Sequence, residues 1–384
     1  MTIDTPDIRR TAVVLALAIL CTVAATILHA ADQALLMPRA VQSLLLDISR
    51  AGERLVAVGE RGHILYSDDD GQSWTQGQVP TRQMLTAVHF QGARLGWAVG
   101  HDASVLHTVD GGEHWISQRD GLAEQRRLDQ AQVDWLEQQI QALKKQLLDA
   151  VSREERQRQQ LRLEELELDL EDANWTLRDP VHAPPLLDVF FSDELRGVAV
   201  GAFNTLLLTR DGGVRWEYAS ARLDNPSGFH LNGVTGDASG HWWIAAEGGL
   251  LFYSPDYGAT WEALDSPYHG SFFGISRDDS SGRLLVHGLR GRVFTSDDHG
   301  RNWMVSRGTG ERTIAGSYFI NQRFVALVGA VGTLIFSDDG GNSFSAAAMP
   351  GSHNLSGVVS SGHELVAVGQ GGIHRRVIPV TNNE

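Results

Sequence analysis

The sequence is nearly without cysteine: of 384 residues only Cys21 carries a thiol, and it lies in an apolar N-terminal stretch. The body of the chain therefore has no disulfide framework and no thiolate metal site. Positive charge is also in deficit. A formal net charge of -15 makes polyanions poor partners, so nucleic acid is not the expected ligand. Long hydrophobic runs are missing except for Thr11 to Leu28, which follows Arg9-Arg10. That run reads as an export signal or a single membrane anchor within residues 1–31, and in either case the body is exported. The expected location is periplasmic, anchored to the inner membrane if the segment is uncleaved.

Catalytic signatures are missing as well. There is no phosphate loop, nucleophile elbow or dinucleotide fingerprint, and the histidines are scattered singly, without the i,i+4 or H-x-H spacing that converges on one ion. Asp68-Asp69-Asp70-Gly71 lacks the alternating carboxylates and the later glutamate of a calcium loop. No catalytic residue, metal site or cofactor is expected.

What the sequence does contain is a repeat. Ser67-Asp68-Asp69-Asp70-Gly71-Gln72-Ser73-Trp74, generalised as S/T-x-D-x-G-x-x-W/F, returns at Thr108 to Trp115, Thr209 to Trp216, Ser254 to Trp261, Ser296 to Trp303 and Ser337 to Phe344. The central aspartates Asp69, Asp110, Asp211, Asp256, Asp298 and Asp339 are separated by 41, 101, 45, 42 and 41 residues. A period near 42 is that of a propeller blade, and the long gap must hold an insertion. Within each box the Asp accepts backbone N–H bonds across a tight turn, Gly supplies a special backbone angle, and the aromatic fills the gap between sheets. Six equivalent positions cannot all line one active site, so these aspartates read as turn-formers.

Gly59, Gly100, Gly201, Ala246, Gly288 and Gly329 each lie ten residues before a box aspartate, which fixes the hairpin lengths in all six units. A seventh unit at Leu355 to Val377 has Gly369 in the Gly59 position but no box and no fourth strand. Residues Ala34 to Arg39 are expected to supply that strand and close the ring. The prediction is an all-β, seven-bladed β-propeller: residues 32–118 hold blades 1 and 2 with the closing strand, and 179–384 hold blades 3 to 7.

Between them, in residues 119–178, Gly nearly vanishes and Leu, Gln, Glu and Arg dominate. Leu136, Ile140, Leu143 and Leu147, then Leu163, Leu166, Leu170, Ala173 and Leu177, follow three- and four-residue spacing, which predicts an antiparallel coiled-coil hairpin. Ser152 with Glu155 forms a capping box that starts the second arm. Because blade strands alternate in direction, this insertion rises from the face that carries the turns between second and third strands. That face, with Glu60, Arg61, His101, Asp102, Phe203, Asn204, Glu247, Arg290, Arg292 and Gln370, is the candidate partner-binding surface. The competing reading is that these are solvated turn residues.

The tandem VAVG-x-x-G units that run into a box, as in Val56 to Trp74 and Val198 to Trp216, resemble the photosystem II assembly factor family, a branch of the BNR/Asp-box propellers. The resemblance covers about Leu44 to Val377 outside the insertion, which the family pattern lacks. It implies a seven-bladed propeller that binds membrane-protein subunits and helps assemble them. For a relative outside photosynthesis it implies an exported protein serving an envelope complex, with a transporter as a candidate partner. The same boxes occur in sialidases, so a glycoside hydrolase is the alternative. Their Arg-Ile-Pro motif and arginine triad are not evident here, and Arg376-Val377-Ile378-Pro379 is the wrong sequence at the wrong end.

Overall fold

The computed structural model describes residues 33–149, 152–178, 182–347, 352–362 and 364–377. The expected N-terminal signal or anchor lies outside the described residues. Among them no helix is long and apolar enough to cross a membrane.

Seven antiparallel sheets make up the body, each a meander in sequence order. We number them as blades: residues 45–76, 85–119, 186–218, 231–263, 272–305, 314–346 and 355–377. The first strands of successive blades pack on one another around the whole circle, and that of blade 7 packs on that of blade 1. The result is a seven-bladed β-propeller. Second strands such as Leu55 to Val58 are fully buried on both faces, which explains their unbroken apolar character.

All six boxes repeat one hydrogen-bond pattern. Ser67 Oγ donates to Asp69 Oδ1 at 2.8 Å, while the Gly71 N–H donates to Ser67 Oγ and the Ser73 N–H donates to Asp69 Oδ1. The same three bonds recur around Asp110, Asp211, Asp256, Asp298 and Asp339. Hydroxyl and backbone donors from Ser73 hold the Asp69 carboxyl down at about 2, and the Asn302 amide leads the same effect at Asp298. Arginines of neighbouring blades brace the boxes. Arg54 makes a two-pronged pair with Asp68 and reaches Gly111 O and Glu113 of blade 2; Arg283 does the same with Asp297 and Gly340 O of blade 6.

The ring closes differently from the expectation. Blade 7 has three strands among the described residues, and residues 34–39 do not pair with it. They lie along the outer edge of blade 1, because the Gln76 side chain accepts from Met37 N–H and donates to Leu35 O, and Ala34 N–H donates to Val79 O. Closure rests instead on side chains between blades 1 and 7. Arg50 donates to Ser360 O at 2.6 Å, Ser356 Oγ to Leu45 O, and Ser361 Oγ to Asp70 Oδ1. A shared core joins Leu45, Ile48 and Leu65 to Val359, Val366 and Val368.

The insertion forms two helices, α1 (Gly121–Asp149) and α2 (Arg153–Arg178). Asp120 caps α1 through the Ala123 N–H, and Ser152 Oγ accepts from the Glu155 N–H at the start of α2. Leu136, Ile140, Leu143, Leu163, Leu166, Leu170 and Ala173 pack between the helices, with a Lys144–Glu167 ion pair across them. The base is clamped by Arg119, which is buried. It donates to Ala103 O and Tyr218 Oη, pairs with Glu124 of α1 at 2.6 Å and lies over the Tyr218 ring. Arg119 thereby ties blade 2, blade 3 and α1 together. Replacing it by Met strands Glu124 and two acceptors, and Arg119→Met is expected to cost roughly 2–3 kcal/mol and to speed amide exchange in the first turns of α1. Unchanged exchange there, measured by mass spectrometry, would contradict the clamp.

Candidate protein-binding surface

The hairpin leaves the ring beside the turn 101–103: Gly121 packs so closely against Asp102 O and the Ala103 Cβ that no side chain fits there. The helices therefore share a face with the turns between second and third strands. Each of the seven turns holds two successive residues in the left-handed region. The first of the pair is Arg61, Asp102, Phe203, Gly248, Arg290, Val331 or Gly371, with φ between 54° and 80°. The second is Gly in five turns, and its space is taken by the connection to the next blade: a Cβ on Gly62 would sit 2.0 Å from Thr81 O, and one on Gly249 1.9 Å from Tyr268 O. At the first position Gly248 and Gly371 face the side chains of Phe229 and His353 and not backbone, and the side chains of the other five are exposed or, for Asp102, half-buried. Five blades nevertheless carry a side chain there, at a backbone cost of about 1 kcal/mol each.

The sequence-predicted residues divide into two groups. Four side chains are engaged in holding the turns. Glu60 accepts from Leu44 N–H, Glu247 from His230 N–H and Gln370 from Asn354 N–H, while Asn204 bonds Ser220 O and Asn225. The others stand at the surface. Phe203 is 69% exposed, edge-on to His230; His101 is exposed and Asp102 half-buried. Arg61 is exposed, with its guanidinium 3.9 Å from the Met37 sulfur. Arg290 and Arg292 are exposed, and their guanidinium groups make no hydrogen bond or ion pair among the described residues.

Structure adds Arg312, which sequence reasoning missed. Gly291 packs against Gly310 O and Arg312 O, so the connection between blades 5 and 6 places exposed Arg312 beside the Arg290–Arg292 turn. Arg312 donates to Val331 O and borders a groove of about 300 Å³ lined by Gly308–Arg312 and Gly332–Ile335. The only signal for it was distance-dependent: blade spacing places it in a connection, but its neighbour is set by the ring.

At the hub lies a channel of about 770 Å³ lined by the first strands. Its charged groups are largely spent within the protein. Asp47 accepts from the N–H groups of Ile48 and of Val88 in the next blade, and Asp188 likewise from Val189 and Val234. Burial pushes both carboxyls up from the usual 3.8 to about 7, and ionised Asp47 adds to the rise at Asp188. Burial also holds His89 and His287 down at about 4, so both rings are neutral. Arg50 bonds Ser360 O, Gly52 O and Glu53, and Arg277 pairs with Asp237 and Asp279.

A family model described as "Photosynthesis system II assembly factor YCF48" matches residues 67–141 and 169–318, more than half of the chain. The chain belongs to this YCF48 family. The unmatched stretch between the two segments includes the end of α1 and the start of α2. In the YCF48 family the chain is 32% identical over 122 residues to the photosystem II assembly lipoprotein Ycf48 of Synechococcus sp. (strain CC9902), a match covering 31% of this chain and 36% of the relative. It is 27% identical over 125 residues to the photosystem II stability/assembly factor HCF136 of Arabidopsis thaliana, covering 31% of this chain and 30% of that protein. The chain thus spans about a third of the length of these two relatives. A longer match, 25% identical over 298 residues, joins it to Ycf48 of Synechococcus sp. (strain JA-2-3B'a(2-13)) and covers 71% of this chain and 78% of the relative. The solved structures of YCF48 bound to D1 peptide and of YCF48 from Cyanidioschyzon merolae each superpose with a TM-score of 0.59 at 17% identity. They cover 90% and 91% of this chain and 94% and 99% of their own, and they establish the fold.

The hub predicts a pH dependence. The unfolded chain ionises Asp47 near pH 4 while the folded chain holds the proton until about pH 7, so this group costs stability as pH rises through that window. Asp47→Asn does not ionise. Wild type is expected to gain on the order of 2 kcal/mol relative to Asp47→Asn between pH 8 and pH 5. A difference in denaturant midpoint that does not change with pH would show that the carboxyl is ionised at the hub.

Proposed function

We propose that this chain is an exported scaffold that holds a segment of a membrane protein on the hairpin-bearing face of the propeller and assists assembly of a membrane complex. The family supports an assembly role, and one solved relative is YCF48 bound to D1 peptide, so a partner of the membrane-protein class is the natural extension. The observation that carries the reading is the set of left-handed turn tips. Gly is the cheapest residue at such a position, yet Arg61, Asp102, Phe203, Arg290 and Val331 stand there with outward side chains. Arg290, Arg292 and Arg312 form a cationic sector suited to an acidic peptide segment, and a rigid ring presents it with little loop ordering.

In this reading Thr11 to Leu28 delivers the chain to the periplasm and anchors it if uncleaved. The helices act as a coiled-coil arm reaching about 40 Å from the ring. An envelope transporter is one candidate partner. The hydrolase alternative draws no support from the hub, where Arg50 and Arg277 are occupied by protein acceptors and both buried carboxyls take backbone N–H bonds.

Crosslinking of the full-length chain in native membranes, read by mass spectrometry, is expected to join residues 289–292 and 308–312 to a membrane-protein segment. Arg290→Glu with Arg292→Glu should lower that yield about tenfold. Arg290→Gly should weaken it too while keeping or raising the melting temperature, since the left-handed strain is relieved. Equal yields from all three proteins would refute the proposal.

A further inference from the structure

The hairpin has a second apolar stripe that its own packing does not use. On α2 the inter-helix contacts come from Leu163, Leu166, Leu170 and Ala173. Leu161, Leu168 and Trp175 recur every seven residues, so they fall on one line along the helix, turned away from that seam. They are 56%, 64% and 64% exposed. Apolar side chains this large, spaced by two heptads over about 21 Å, are the pattern of a helix-packing face and are unusual on a solvated one.

The flanks say what covers it. The positions three and four residues from Leu168 on either side are Glu164, Glu165, Glu171 and Asp172, all exposed. Among the described residues, only Glu165 of these four forms an ion pair on this helix, with Arg162. A second copy docked antiparallel about Leu168 would set Glu164 and Glu165 against Glu171 and Asp172, and a parallel copy would also set acid against acid. An anionic lipid surface meets the same repulsion. A helix with leucine-type side chains at heptad spacing and Lys or Arg beside them satisfies both the stripe and its rim.

We infer that the outer face of α2, centred on Leu161, Leu168 and Trp175, is a docking site for a cationic amphipathic helix of a partner protein, which adds a third helix to the hairpin. The inference rests on reading the chain as a protein-binding scaffold. It does not depend on the ring-face arginines.

The test uses the full-length chain and two designed helical peptides of about 21 residues, alike in their heptad leucines but flanked by Lys in one and Glu in the other. Calorimetric titration is expected to show binding of the Lys peptide alone, weakened by salt. Leu161→Ser, Leu168→Ser and Trp175→Ser together should weaken it at least about tenfold, with helicity by circular dichroism preserved. Changing Glu164, Glu165 and Glu171 to Gln and Asp172 to Asn keeps the stripe and should remove most of the salt dependence. Arg290→Glu with Arg292→Glu should leave peptide binding unchanged, which separates failure here from failure of the ring-face reading. The inference is overturned if neither peptide binds, if both bind alike, if the triple substitution has no effect, or if sedimentation shows a wild-type dimer that the triple substitution dissolves.

Discussion

The ring depends on how closely its first strands approach one another at the hub. At the bulge of each first strand stand Asp47, Ala87, Asp188, Gly233, Gly274, Gly316 and Gly357. A Cβ on Gly233 would lie 2.9 Å from Gly274 Cα, and one on Gly316 2.5 Å from Ser356 O. Where an aspartate stands instead, its carboxyl is turned onto the next blade's N–H, so Asp47 and Asp188 act as staples between strands. Thr86, Asn232 and Ser356 do the same with neighbouring carbonyls. This contact sets the radius of the ring and therefore where every turn falls.

The boxes act at the opposite end of each hairpin. Their bonds are local, spanning two or four residues, and they fix the third and fourth strands relative to each other without help from the hub. Local turns of fixed geometry and a crowded hub together leave the other face free to vary. Positions 61, 102, 203, 290 and 331 carry Arg, Asp, Phe, Arg and Val on equivalent backbones. One scaffold thus displays unlike side chains at regular angular intervals, which is a property of grip.

The features legible in the sequence are those with short range. The boxes, the blade period, the helix cap at Ser152 and most of the inter-helix seam depend on residues a few positions apart. The face of the hairpin followed from strand parity alone. What sequence reading missed is set by contacts across the chain. Residues 34–39 carry no sign that Gln76 would hold them on blade 1. Arg119 and Arg312 look like ordinary arginines until the ring brings Ala103, Tyr218 and Gly291 to them. The stripe Leu161, Leu168 and Trp175 was hidden by the stronger seam on the opposite side of the same helix, since both share the heptad period.

The central claim is that the hairpin-bearing face grips a partner and the hub does not work on a substrate. Hydrogen–deuterium exchange on the full-length chain, alone and bound to its crosslinked partner complex, tests it most directly. The account predicts slowed exchange at the turns 60–62, 289–292 and 330–332 and the connection 308–312, with box turns and hub strands unaffected. Slowed exchange confined to the hub strands around Asp47 and Asp188, with those turns unchanged, would contradict it.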